Sequence, residues 1–319
     1  MGQVGLTFPM LQPLVARAAA GAGMTEKKAR LDAFGATALV GIAALLSFNQ
    51  VVIVWVSHGL QPVFVAGLRS VMATVFVALW MWARGRPLHH TPGTAGAGLL
   101  IGAVFAAEFL CLFLALDLTA VSRAVVIFYT MPVWLALMAH VWLPGERLTP
   151  VRTAGLAMAF AGTAVAILDR SHATDRAGSL TGDLLALGGA LGWAGTAFLT
   201  KVTAMRRVGP EMQLFWMVAV SGPLLLLAAP FFGPLIRDLQ PMHLVWLVFQ
   251  SSVVVAGGFI GWLWLLSVYP AATVASFSFL TPVLSLGLGW LVLSEPLGPA
   301  IVVAALLVAA GIVLVNRRT

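Results

Sequence analysis

Long apolar stretches separated by short polar connections run along almost the whole chain. Ten of them reach about 20 residues, the length at which an α-helix crosses the hydrocarbon core of a bilayer. We predict transmembrane helices at 33–56, 61–82, 93–116, 121–143, 150–168, 180–201, 211–231, 243–268, 271–293 and 297–315. Because the connections are short, no sizeable soluble domain lies between these helices. The predicted fold is an all-α integral membrane protein with ten transmembrane helices.

The composition agrees with a membrane protein, since 61% of the residues are hydrophobic and only 9% are charged. A soluble domain carries about 25% charged residues on average. The formal net charge of +7 could suit nucleic acid, but the basic residues are scattered between apolar runs instead of forming one face. The expected partners are therefore the lipid bilayer and a small-molecule substrate, without nucleic acid. A monomer is compatible with the sequence, which leaves the oligomeric state open.

The distribution of Lys and Arg predicts the orientation, because basic residues collect in the cytoplasmic loops of membrane proteins. With the N-terminus inside, four basic residues face outside: Arg123, Arg170, Arg176 and Arg237. Thirteen face inside: Arg17, Lys27, Lys28, Arg30, Arg84, Arg86, Arg147, Arg152, Lys201, Arg206, Arg207, Arg317 and Arg318. Both termini are therefore expected in the cytoplasm, with the protein in the bacterial inner membrane.

Residues 1–32 precede the first predicted helix and contain a charged cluster, TEKKARLD. No Lys or Arg occurs before Arg17, which argues against a cleaved signal peptide with a basic leading region. We expect this segment to be a cytoplasmic arm.

One phrase occurs twice, about half the chain apart. IFYTMPVWLALMAHVWLPGERLTP begins at Ile127, and SFLTPVLSLGLGWLVLSEPLGP begins at Ser278. Pro132 matches Pro282, and Glu146 matches Glu295 after a slip of one residue. We therefore predict two five-helix repeats, at 33–168 and 180–319, joined by an external linker at 169–179. An odd number of helices per repeat makes the second copy enter the membrane from the opposite side.

Inverted repeats are typical of secondary transporters, in which two similar halves open a shared site alternately to either side. An intramembrane lipid-modifying enzyme is a competing class, but the chain has no HExxH or GxSxG motif and no deep paired carboxylates. A channel normally has rings of charged residues or a filter of backbone carbonyls, and the sequence shows a motif for neither. We therefore predict a transporter, with no enzymatic activity, no cofactor and no metal site.

Two charged residues lie deep inside predicted helices, where charge is costly and usually functional. At 1.5 Å per residue, Arg69 lies about 10 Å and Glu108 about 12 Å below the same membrane face, and Asn49 falls at a similar level. One interpretation is that these three residues form a polar ring that binds the substrate. Glu108 would bind the substrate ammonium group, and Asn49 or Arg69 would bind its carboxylate. The alternative is an Arg69–Glu108 pair that only holds two helices together.

Aromatic side chains near the repeated prolines are further candidates for substrate binding. Tyr129 and Phe279 each precede a repeated proline by three residues, and Trp193 and Trp262 lie beside glycines that open space. Flat apolar faces suit a planar substrate side chain, although ordinary helix packing explains each residue equally well. We interpret Pro132 and Pro282 as paired gating kinks, since proline breaks the helical hydrogen bonding.

The order of these motifs resembles the EamA-type drug/metabolite transporter superfamily. The resemblance is carried by AGLRS from Ala66, FAAEFLCLFLAL from Phe105, GDLLALGGALGWAGTAFLTK from Gly182, and the GERLTP and SEPLGP turns. Within that superfamily the chain looks most similar to YddG-type exporters of aromatic amino acids. The resemblance implies a cavity lined by helices 1–4 and 6–9, with helices 5 and 10 peripheral. It also implies export of small amphipathic metabolites, with aromatic or bulky apolar amino acids as the first expectation, and it favours a structural role for Arg69.

Overall fold

The computed structural model describes residues 32–85, 88, 91–143, 148–169, 179–269 and 280–316. The predicted cytoplasmic arm, most of the predicted linker at 169–179, and Phe279 lie outside the described residues.

The described secondary structure is helical apart from one isolated bridge between Leu60 and Ile236. The α-helices are α1 (Ala33–Gly59), α2 (Pro62–Ala83), α3 (Ala95–Leu118), α4 (Val121–Phe128), α5 (Met131–Trp142), α6 (Pro150–Leu168), α7 (Leu180–Val202), α8 (Pro210–Ala228), α9 (Pro241–Phe249), α10 (Phe259–Val268), α11 (Leu280–Leu293) and α12 (Pro299–Asn316). Eight helical stretches in the described ranges are long and apolar enough to cross a membrane, and α11 and α12 are shorter apolar helices. The protein is therefore a multi-pass membrane protein.

Prolines mark where many of these helices begin. Helices α2, α6, α8, α9 and α12 each start at a proline, at a position where the missing N–H has no intrahelical partner to lose. Two predicted helices have internal irregularities. The fourth is interrupted at Tyr129–Thr130, between α4 and α5, and the eighth contains a π-helical segment, Gln250–Gly258, between α9 and α10.

Four described helix connections, together with the end of α6 and the start of α7, meet at one end of the bundle, which we call the strapped end. The segment 233–239, the strap, lies across the turn between α1 and α2. The Gln61 N–H donates to Leu235 O and the Arg237 N–H donates to Gly59 O, both at 3.0 Å. Arg237 also pairs with Asp117 at the end of α3 (2.8 Å). This hydrogen bonding raises the pKa of Arg237 above its ordinary value, so the guanidinium stays charged.

A second set of contacts at the strapped end joins α4 to α7 and α12. Arg123 forms a bidentate ion pair with Asp183, with its Nη2 2.7 Å from Oδ2. Asp183 is fully buried and also accepts a hydrogen bond from the Thr119 hydroxyl (3.1 Å). Glu295, just before α12, accepts hydrogen bonds from the N–H groups of Val121 and Ser122, at 2.6 and 2.9 Å. These carboxylates therefore connect distant parts of the chain at one membrane face.

Glycines allow close approach at two helix–helix contacts. Where α6 meets α12, a methyl group added to Gly311 would lie 2.6 Å from Gly155 O and 2.8 Å from Ala159 N. Where α3 meets α7, a methyl group added to Gly192 would lie 2.9 Å from the Cα of Glu108. Both contacts are backbone-to-backbone, the geometry that small residues permit in membranes. The second one fixes the main chain of Glu108 against α7.

We expect Gly311→Val to destabilise the protein by separating α6 from α12. Overpacking a well-packed contact costs about 1–3 kcal/mol, and here the neighbouring atoms belong to a backbone that cannot rotate away. The thermal unfolding midpoint in detergent should fall. Gly287→Val is the matched control, because no atom lies within 4 Å of a methyl group added there. Equal midpoints for the two variants would contradict the importance of this contact.

Candidate functional site

Arg69 and Glu108 are both buried in the helix bundle, at 7% and 2% exposure. The Arg69 guanidinium stacks on two rings of α3, with its Cζ 4.7 Å from the centroid of Phe109 and 5.5 Å from that of Phe113. Glu108 precedes Phe109 and is close enough to interact electrostatically with Arg69. The structure therefore brings these two predicted residues to the same α2–α3 interface.

Several buried polar atoms around this interface have no hydrogen-bond partner. Among them are Arg69 Nε, Glu108 Oε2 and Asn49 Oδ1. Buried polar atoms are normally hydrogen-bonded, and each exception asks for an explanation. Such atoms are candidates for hydrogen bonds to ordered water or to a ligand.

The strapped end provides a common reference for depth. Helices α1 and α3 extend to Gly59 and Leu118, slightly further than predicted, so Asn49 and Glu108 each lie ten residues, or about 15 Å, from that end. Arg69 is seven residues, or about 10 Å, from the start of α2. The three residues therefore lie within one helical turn of a common level, and the contact between Arg69 and Phe109 shows that the long arginine side chain spans this difference.

Two further buried amides were not among the predicted site residues. Gln50 is 5% exposed with Oε1 unpaired, and Gln250 is fully buried with both Oε1 and Nε2 unpaired. Gln250 opens the π-helical segment, a feature that is frequent at functional sites. The available sequence signal was a glutamine inside an apolar span, followed by two serines.

Tyr129 lies at the break between α4 and α5, where Pro132 occupies the first turn of α5. It is 6% exposed, and its hydroxyl lies near the Thr281 side chain of α11. The Ser47 hydroxyl of α1 donates to the Thr281 carbonyl at 2.9 Å. The helix interruption expected from Pro132 is therefore present. At this interruption, contacts to Thr281 of α11 connect α11 with the end of α4 and with α1. Pro282 lies in the first turn of α11, and the chain before it falls outside the described residues.

The two tryptophans predicted to bind substrate lie apart. Trp193 packs against the large central hydrophobic cluster, next to the Gly192 contact with Glu108. Trp262 packs in a separate cluster with Leu39, Leu265 and Tyr269, towards the opposite end of the bundle. The structure therefore places Trp193 near Glu108, whereas Trp262 is separated from the polar residues.

Comparisons with known proteins agree with this architecture. The EamA-like transporter family matches the chain twice, over residues 33–168 and 180–317. A solved crystal structure matches with a TM-score of 0.60 at 22% identity, covering 89% of this chain and 98% of that one, which shows the fold.

Relatives of similar sequence are described as transporters. The uncharacterized transporter YvbV of Bacillus subtilis (strain 168) is 32% identical over 201 residues, and the match spans 60% of this chain and 62% of that relative. The probable amino-acid metabolite efflux pump of Escherichia coli (strain K12) is 29% identical over 295 residues, which is 85% of this chain and 93% of that one. With two family matches that together cover most of its length, the chain belongs to the EamA-like transporter family.

Proposed function

We propose that this protein is a secondary transporter that exports small amphipathic metabolites across the bacterial inner membrane. The substrates that fit best are amino acids with aromatic or bulky apolar side chains. The observation that carries this proposal is the set of unpaired, buried polar atoms about halfway through an otherwise apolar bundle, with Arg69 and Glu108 at its centre. The printed description of the Escherichia coli relative as an amino-acid metabolite efflux pump supports the same class.

A zwitterion supplies the missing partners in this proposal. Its ammonium group carries three N–H donors for the unpaired acceptors Glu108 Oε2, Asn49 Oδ1 and Gln50 Oε1. Its carboxylate accepts hydrogen bonds from the unpaired Arg69 Nε. The apolar side chain of the substrate then packs against Tyr129 and Trp193, which both belong to the central hydrophobic cluster.

Alternating access between two inverted five-helix repeats, 33–168 and 180–319, is the proposed mechanism. Two separate family matches support two repeats. The meeting of four described connections, the end of α6 and the start of α7 at the strapped end supports a chain that alternates across the membrane ten times. Placed by the Lys and Arg distribution, the strapped end faces outward, and both termini, together with the arm at 1–32, face the cytoplasm. The kinks at Pro132 and Pro282 would then bend in opposite facing states.

Counterflow in proteoliposomes tests this proposal. Vesicles containing purified protein are loaded with one unlabelled amino acid and diluted into a trace of the same labelled compound. A carrier accumulates label transiently, and we expect this for phenylalanine or leucine more than for glycine. A channel would equilibrate label without an overshoot, and an enzyme would leave it outside or convert it. Lack of overshoot with all twenty amino acids would remove amino acids as the substrate class.

A further inference from the structure

We propose that Gln250 binds the substrate, with its side-chain Nε2 donating a hydrogen bond to the carboxylate of the transported amino acid. This inference rests on the proposed function and adds a requirement for a free carboxylate. It starts from the chemistry of the unpaired atoms. Near the polar level, unpaired amide and carboxylate oxygens belong to Asn49, Gln50, Glu108 and Gln250, and the unpaired N–H donors are Arg69 Nε and Gln250 Nε2. The hydroxyls of Ser70 and Ser285, which can donate or accept, are also unpaired.

The level of Gln250 follows from an aromatic contact. The rings of Phe48 on α1 and Phe249 on α9 lie 6.1 Å apart, nearly perpendicular to each other. Helix α1 runs towards the strapped end and α9 runs away from it, so the next residues, Asn49 and Gln250, step apart by one residue each and differ in depth by about 3 Å. Counting from the start of α9 gives the same result, since nine residues correspond to about 14 Å. Gln250 therefore shares the level of Asn49 and Glu108.

The π-helical segment turns this residue towards the protein interior. Gln250, Val254 and Gly258 are all buried and recur every four residues, close to the period of a wide helical turn. Val253, between them, is 45% exposed. A methyl group added to Gly258 would lie 3.6 Å from Leu45, so this face is directed at α1. The amide of Gln250 is thus held in the bundle, away from lipid.

A neutral donor at about the depth of Arg69 suits a substrate carboxylate. Arg69 already has both aromatic rings of α3 against its guanidinium, which restricts the directions from which a ligand approaches. An amide adds a directional donor without adding a second positive charge to an apolar interior, where charge is expensive. Gln250 and Arg69 together therefore account for the carboxylate, and Glu108 with the Asn49 and Gln50 amides accounts for the ammonium.

The test compares Gln250→Met with Ser252→Ala, a control in the same π-helical segment whose hydroxyl bonds only within its own helix, to Val248 O (2.7 Å). Methionine keeps the length of glutamine and removes both unpaired atoms. We therefore expect the unliganded Gln250→Met protein to melt at the same temperature as the wild type or higher. Its apparent Kd for L-phenylalanine, from ligand-dependent thermal shifts, should rise about ten- to a hundredfold.

A second ligand separates carboxylate recognition from general damage. 2-Phenylethylamine keeps the ring and the ammonium group of L-phenylalanine but has no carboxylate or carbonyl oxygen to accept a hydrogen bond from Gln250 Nε2. Gln250→Met should therefore bind this amine as the wild type does, and the preference for L-phenylalanine over the amine should shrink. Unchanged L-phenylalanine binding in Gln250→Met, or equal losses for both ligands, would overturn the role of Gln250 while leaving amino-acid transport in place. A lower melting temperature of the unliganded variant with an unchanged ligand shift would make Gln250 structural. Absence of any amino-acid binding by the wild type would overturn the proposed function, and this inference with it.

Discussion

Replacing Asp183 by Asn is expected to be among the most destabilising single changes in this protein. The substitution keeps the shape of the side chain but removes the negative charge that pairs with Arg123. The Arg123 side chain is only 9% exposed. Breaking a buried ion pair by removing one partner costs about 3–5 kcal/mol, because the remaining charge stays buried without compensation. The thermal unfolding midpoint in detergent should fall accordingly.

Asp117→Asn is the matched control, because it breaks an ion pair at the same end of the bundle. Its partner Arg237 is 32% exposed, and exposed pairs contribute about 0–1 kcal/mol. The double variant Arg123→Met/Asp183→Leu should recover much of the lost stability, since apolar residues of similar volume can replace a buried pair. A loss for Asp183→Asn no greater than that for Asp117→Asn would show that the burial of the pair has little energetic weight.

Glu108→Gln is expected to weaken substrate binding about ten- to a hundredfold. A hydrogen bond to a charged group contributes roughly 1.5–3 kcal/mol, which corresponds to one to two decades in Kd. The variant keeps the side-chain volume, and its main chain stays fixed against Gly192, so it should insert and fold normally. The measurement is the apparent Kd for L-phenylalanine from thermal shifts, together with the counterflow rate. Asp238→Asn, an exposed carboxylate at the strapped end, serves as the control.

The competing role for Glu108 has its own signature. If Glu108 and Arg69 only hold α2 and α3 together, Glu108→Gln should transport at the full rate and lose thermal stability instead. Combining it with Arg69→Met would then give a stability loss far from the sum of the single losses, because paired residues couple. That outcome would move the substrate site elsewhere in the bundle.

Most of the helical architecture was accessible from the sequence because hydrophobicity and proline act locally. An apolar run of about 20 residues has few alternatives to a spanning helix, and prolines such as Pro62 and Pro150 stand at helix starts. The interruption at Tyr129–Thr130 was foreseen for the same reason, since Pro132 cannot continue the hydrogen bonding of α4. The depth of Arg69 and Glu108 required only the rise of a helix.

The features that escaped prediction depend on contacts between distant segments. The π-helical segment carries no proline, and its packing against α1 is not encoded in any local pattern. Gln250 was overlooked for that reason. Trp262 and Trp193 have similar sequence surroundings, but only the assembled bundle shows that they belong to different clusters. Arg123 and Asp183 each look like an ordinary loop charge, and 60 residues separate them.

The contacts at the strapped end also have a consequence for biogenesis. Three groups of the first half form hydrogen bonds at the strapped end with partners that are synthesised much later. The partner follows 60 residues after Arg123, 120 residues after Asp117 and 174 residues after Val121, whose N–H is the donor. Translation proceeds from the N-terminus, and early segments form first. Until α7, the strap and Glu295 have been synthesised, the first five spans therefore lie in the bilayer without these partners. Arg123 then has no carboxylate beside it, and the first N–H groups of α4 have no acceptor. Membrane insertion of the second half is thus what completes the polar contacts of the first half.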